Sequence, residues 1–198
     1  MAVRVLRAAE RTASAWKNGG GITREVAAHP EDSDLGGFHW RVSLAEVAQG
    51  GPFSAFPGVD RVITVVRGAG MLLTVDGIQH RIDARYRSFA FPGDAETDCR
   101  LLEGPLTDFN VMTRRESTRA RVEIVDQPVE LAVGDGGAVL ALVLEGGAAL
   151  GGAGEPLGPL DALLLTGVEQ DVLELDGWAA VVTFDQLAAR VTESLVYA

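Results

Sequence analysis

Along most of this chain apolar and polar residues alternate in short runs, and the runs stop at glycine. Over residues 39–47, Trp40, Val42 and Leu44 fall on one side and Arg41, Ser43 and Ala45 on the other. That period of two is the mark of a half-buried strand. The same pattern predicts strands over 3–8, 22–28, 61–66, 88–91, 99–102 and 108–114. Residues 71–75 and 78–82 flank Asp76-Gly77 and read as a hairpin. Further along, 139–144, 148–150, 157–165, 172–175 and 178–184 read as strands, with Asp176-Gly177 as another turn. Only 185–191 has a helical pattern, with Asp185 as its N-cap. Short strands separated by glycine turns predict an all-β sandwich or barrel with little helix. Gly68, Gly93 and Gly104 recur as Gly146, Gly167 and Gly177 at similar intervals, which suggests an internal duplication.

Composition and charge narrow the function. The 198 residues suffice for one large or two small domains. No apolar run approaches the roughly 20 residues that cross a bilayer, and the first ten residues lack the apolar segment of a secretory signal. No membrane association is expected. Cys99 is the only cysteine, which fits the reducing cytoplasm, the expected location. From Ala120 onward there are two basic and thirteen acidic residues, a net of −11, so residues 1–119 are neutral overall. No basic surface is available for nucleic acid. A small anion would be drawn to the arginine-rich first part rather than to the acidic second part.

One stretch departs from the compositional habit of the chain. In Trp16-Lys17-Asn18-Gly19-Gly20-Gly21-Ile22-Thr23-Arg24-Glu25, Lys17 is the only lysine and Asn18 is one of two asparagines, with Asn110. Lysine is a compact point charge where arginine is a planar fork. Three glycines allow a sharp turn or close backbone approach to a ligand. Two readings stand side by side: a ligand-contacting loop, and a structural turn before a strand. No Lys-Ser/Thr follows the glycines, so the stretch is not a phosphate loop.

The segments WKNGGGITREVA (16–27), WRVSLAEV (40–47), GPFSAFPGVDR (51–61) and DFNVMTRR (108–115) resemble the HutD/Ves family of bicupins. The resemblance implies two cupin-like jelly-roll barrels or sandwiches in one chain, here 1–118 and an acidic 119–198. It also implies an association with histidine utilisation, in a family without an established reaction. Metal-binding cupins carry two histidines and a carboxylate in the first motif and a histidine in the second. Here 61–73 contains no histidine, none follows Pro92-Gly93 closely, His80 stands alone, and His29 and His39 are separated by loop residues. No metal and no cofactor are therefore expected.

Because cupin barrels hold ligands inside, the resemblance turns the polar strand faces into a candidate pocket. Its members are Lys17, Asn18, Thr23, Glu25, Arg41, Ser43, Arg61, Asn110 and Met112, with Phe91 as a wall. Arg41 and Arg61 can hold a carboxylate bidentately, and Lys17 adds a charge. Asn18 and Asn110 suit an amide or formamide. Glu25 could neutralise Lys17 or accept an N–H. The set suits a small carboxylated metabolite, such as N-formylglutamate or another histidine-degradation intermediate, bound by a sensor or regulator. A metal-independent enzyme using Lys17 and Glu25 as acid and base, or Lys17 as a Schiff-base amine, is the alternative. Output would pass through a homodimer or a regulatory protein partner.

Overall fold

Alternation becomes antiparallel pairing throughout the computed structural model, which describes residues 2–151, 154–167 and 170–187. In chain order the strands are β1 (Ala2–Leu6), β2 (Ala13–Ala15), β3 (Gly21–His29), β4 (Trp40–Val47), β5 (Gly51–Pro52), β6 (Val59–Arg67), β7 (Met71–Val75) and β8 (Ile78–Ile82). They continue as β9 (Ser88–Pro92), β10 (Thr97–Leu101), β11 (Leu106–Arg114), β12 (Thr118–Val125), β13 (Val129–Ala132), β14 (Ala138–Leu150), β15 (Ala162–Thr166) and β16 (Gln170–Gln186). A first sheet runs β2-β3-β4-β11-β6-β9, a second β5-β10-β7-β8, and a third β1-β15-β14-β16-β12 with β13 also on β16. A single 3-10 turn, Ala8–Glu10, is the only helical element among the described residues.

Strand parity decides how the sheets stack. Ala45 and Val47 of β4, Ile63 and Val65 of β6 and Leu106 of β11 pack on Met71, Leu73, Val75, Ile82 and Cys99 of the second sheet. The opposite face of the first sheet, with Trp40, Val42, Leu44, Phe109 and Val111, packs on Leu140, Leu142, Leu164, Ala180, Val182 and Phe184 of the third. Trp40 stacks on Phe184 at 4.2 Å between ring centroids, 12° from parallel. Each such side chain contributes about 1.5–3 kcal/mol of burial, so the seam between the halves is a core rather than a loose contact. The first sheet is thus the middle layer. Its second face, which carries Arg41, Ser43, Asp108, Asn110 and Met112, is turned into the first sandwich and away from solvent.

The third sheet bends over a second core. Leu173, Ala148 and Leu157 from its far end join Val139, Ala141, Leu163, Leu165 and Val181 in a separate core. The bend lies where β14 bulges between Val143 and Glu145 and Gly146 faces Gly177. Gly146 has φ +78° and Gly177 φ +130°, and a Cβ on Gly146 would stand 1.8 Å from the Asp176 carbonyl oxygen. Only glycine permits that approach.

This corrects the expected Asp176-Gly177 turn: the pair lies inside one continuous strand, β16. Gly68 lies between β6 and β7, whereas its supposed counterpart Gly146 sits within a ladder, so the glycine spacing does not mark equivalent turns. The helix expected from Asp185 is also corrected, because Asp185 and Gln186 continue β16 opposite Arg119 and Thr118. Residues 188–191 lie outside the described residues. Leu157 makes only an isolated bridge to Ala148, and β15 begins at Ala162. Strands β2, β5, β12 and β13 are not foreseen by the periodicity. The division at 118/119 is crossed by β1, which pairs with β15 in the third sheet.

Candidate functional site

The register of the first sheet sets the candidate residues in rows. Arg41 faces Met112, Met112 faces Arg61, and Arg61 faces Phe91, across β4, β11, β6 and β9. One step along, Glu25 faces Ser43, Ser43 faces Asn110, and Asn110 faces Ile63. A further step brings Thr23, Ala45, Asp108 and Val65 into line. Residues far apart in sequence therefore share one interior surface, because side chains of period two on paired strands stack across the sheet.

Arg61 is the centre of this surface. It is only 8% exposed, and its Nε has no hydrogen-bond partner. Its guanidinium lies 4.9 Å from the ring centre of Phe53, 5.1 Å from Phe91 and 5.7 Å from Phe56. Burial lowers its pKa to about 10; Asp108 works against that shift and Arg41 adds to it. Three aromatic faces offset part of the lost hydration. Asn110 Oδ1 is a second buried atom without a partner. A buried polar atom left unsatisfied costs about 1–3 kcal/mol, and such atoms mark places where a ligand or water is received.

Asp108 completes the electrostatics. It is 3% exposed, and burial raises its pKa to about 7 against the opposing charge of Arg61. It is thus a carboxyl group poised between its neutral and charged forms near neutrality. At the edge of the surface, Arg41 Nε donates to Glu25 Oε2 at 2.7 Å, with Arg41 mostly buried and Glu25 half exposed.

The other expected members sit differently. Lys17 and Asn18 are exposed in the turn joining β2 and β3. Gly19 N–H donates to the Trp16 carbonyl at 3.0 Å, Gly20 N–H donates to Asn18 Oδ1 at 3.0 Å, and Gly19 has φ +70°. Thr23 Oγ1 accepts from Trp16 Nε1 at 2.8 Å. The lone lysine and the glycines thus form a hairpin turn, and Lys17 lacks the apolar surroundings that a Schiff-base amine needs. Seven of the expected residues, Glu25, Arg41, Ser43, Arg61, Phe91, Asn110 and Met112, fall within the first two interior rows.

Sequence reasoning missed Asp108, Phe53 and Phe56. Asp108 shares its face with Asn110 by parity alone, so the signal was present. Phe53 and Phe56 lie in a connection without periodicity, and only the folded chain shows that they reach Arg61. Cys99 offers no nucleophile: burial first, then Asp108 and Asp98, pushes its thiol up to about 12, and Sγ lies 3.4 Å from Met71 Sδ. Among the described residues no group of three or more His, Cys, Asp or Glu is placed to hold a metal ion. No helix among the described residues is long and apolar enough to cross a membrane. Two clefts of about 400 Å³ each lie elsewhere, one at the seam between the halves and one beside His80 and Arg87.

Comparison with known proteins places these observations. The HutD family profile matches residues 8–183. An uncharacterised 21.2 kDa protein from the hutC 3′ region of Pseudomonas putida is 40% identical over 124 residues, 63% of this chain and 65% of that protein. Protein Ves of Citrobacter koseri is 39% identical over 129 residues, 64% of this chain and 66% of that protein. This chain therefore aligns with somewhat under two thirds of either relative. Among solved structures, HutD from Pseudomonas fluorescens SBW25, in a formate condition, is 36% identical with a TM-score of 0.83, covering 94% of this chain and 100% of that one. A conserved protein of unknown function from Pseudomonas aeruginosa PAO1 is 34% identical with a TM-score of 0.82, covering 93% of this chain and 100% of that one. A bacterial pirin from Escherichia coli, in complex with nickel(II), shares the fold alone, at 12% identity and a TM-score of 0.66 over 95% of this chain and 100% of that one. The fold is all-β and cupin-like.

Proposed function

This chain belongs to the HutD family, and we propose that it binds a small carboxylated metabolite inside its first sandwich, without a metal, and acts as a sensor of histidine degradation. The observation that carries this reading is the state of Arg61: buried, ringed by three phenylalanines and unpartnered at Nε. A ligand carboxylate supplies the missing acceptor and forms a charge-assisted, bidentate pair in a dry setting. Asn110 Oδ1, also unpartnered, receives an N–H from the same ligand. A molecule with a carboxylate and an amide or ring N–H, such as N-formylglutamate or a neighbouring histidine-pathway acid, satisfies both.

On this reading the third sheet, curled round its own core, is the second cupin-like unit and an acidic scaffold. The protein works in the cytoplasm, and its signal passes to a protein partner or a second copy. A stress-response role, in place of histidine utilisation, uses the same site with a different carboxylate. The enzyme alternative has no support from the placement of Lys17. Thermal-shift titration with N-formylglutamate and urocanate tests the reading, since a ligand of the native state raises the melting temperature with its concentration. Wild type is expected to shift and Arg61→Met to lose the shift.

A further inference from the structure

Where β3 ends and β4 begins, the first sandwich and the third sheet part to leave a cleft of about 400 Å³. That is within the size range of small-molecule sites, which favour boundaries between structural units. Its floor is the stacked pair Trp40 and Phe184. His29 continues the stack, 6.0 Å from Trp40 and 19° from parallel. His39 stands edge-on to His29 at 5.7 Å and 89°. Across the mouth, Arg4 of β1 donates to both carboxylate oxygens of Glu31, at 2.9 and 2.8 Å, so one lip comes from each half.

Neither imidazole makes a side-chain hydrogen bond among the described residues. Among the described residues Glu31 is the only acidic one on the lining, and Arg4 already holds it. Arg4, His29 and His39 thus offer nitrogen donors around an aromatic floor, in a chain whose second part is otherwise strongly acidic. An anion finds few competing carboxylates here, and a flat ring finds a stack to extend.

We propose that this seam cleft is a second small-molecule site, for a bicyclic aromatic monocarboxylate whose ring extends the stack at the exposed His29 and whose carboxylate meets His39 beside the Arg4–Glu31 pair. It is separate from the interior surface around Arg61, because Trp40 and Arg41 are successive residues of β4 with side chains on opposite faces. A ligand at the seam touches both halves and so favours their packed arrangement.

The test is calorimetric titration of the full chain with indole-3-acetate, and with indole as the uncharged analogue. His29→Ala combined with His39→Ala removes the polar wall at half-exposed and exposed positions. Thr166→Trp fills the cleft from an exposed strand position. Both variants are expected to weaken indole-3-acetate at least about tenfold, with indole about tenfold weaker than the acid on wild type. Arg61→Met is expected to leave the affinity unchanged. The proposal is overturned by any of four results: no binding by wild type up to about 10 mM, binding untouched by the cleft variants, binding lost in Arg61→Met, or indole binding as tightly as its acid.

Discussion

Arg61 and Asp108 lie buried on adjacent strands of the first sandwich, and among the described residues no hydrogen bond joins them. They meet through their fields alone. Burial pushes the Asp108 carboxyl up to about 7 and the Arg61 guanidinium down to about 10, and each charge resists the shift of the other. A surface of this kind is costly to fold and has capacity left for an anion.

Asp108 has a folded-state pKa near 7 against an ordinary value of 3.8. Between those values the folded chain holds a proton that the unfolded chain releases. Stability from this group is therefore fully present below about pH 4 and is lost as pH rises through about 7. Asp108→Asn removes the penalty, which is on the order of 2–4 kcal/mol at its fullest. The variant is expected to melt higher than wild type at pH 8, with the gain shrinking toward pH 5. Paired melting curves at the two values check this, and an offset independent of pH would count against it.

The hairpin turn separates structure from binding. Lys17 is exposed, so Lys17→Ala is expected to change stability by less than about 0.5 kcal/mol. Asn18→Ala loses the bond to the Gly20 N–H and is expected to cost about 1 kcal/mol. Urea denaturation of the two variants distinguishes them. Equal effects would mean that the turn is not held by the asparagine.

At the bend of the third sheet, Gly146→Ala places a methyl group against the Asp176 carbonyl at a positive φ. The expected loss exceeds about 2 kcal/mol, from steric conflict and backbone strain together. Gly19→Ala, also at positive φ but with open space around the new Cβ, is expected to lose only about 1 kcal/mol. Chemical denaturation of both variants measures the contrast, and equal losses would show that close approach is not what Gly146 provides.

The seam between the halves predicts cooperative unfolding. Trp40→Ala removes one partner of the Trp40–Phe184 stack and is expected to cost about 3–5 kcal/mol. Because Trp40 belongs to the core shared by both halves, wild type should unfold in a single transition by fluorescence and by circular dichroism. Two separated transitions in wild type would show that the halves fold independently.

The strands around this site were legible wherever one face is apolar. Trp40, Val42 and Leu44 alternate cleanly because that face packs on the third sheet, and the alternation alone put Arg41 and Ser43 on the other side. Parity could not say whether that side met water or protein; the second sheet decides it. Gly177 misled because a glycine after aspartate signals a hairpin, whereas here it accommodates Gly146 across a ladder. The helix expected at Asp185 failed because pairing with β12 outweighs local propensity. Lys17 stood out by composition, but its rarity held no information about distance from Arg61. The ring of phenylalanines was hidden because Phe53 and Phe56 come from an aperiodic connection.

Isothermal titration of wild type and Arg61→Met with N-formylglutamate and urocanate, beside the melting temperature of each protein without ligand, separates a binding role of Arg61 from a structural one. Methionine keeps the apolar packing among the phenylalanines while removing the buried charge. At least one acid is expected to bind wild type at one site and to lose about 100-fold in affinity, ~2.7 kcal/mol, on the variant. The variant is expected to melt at or above the wild-type temperature, since an unpaired buried cation stabilises nothing. Failure of both acids to bind wild type, equal binding to the variant, or a variant that melts several degrees lower would contradict the account and make Arg61 a structural residue.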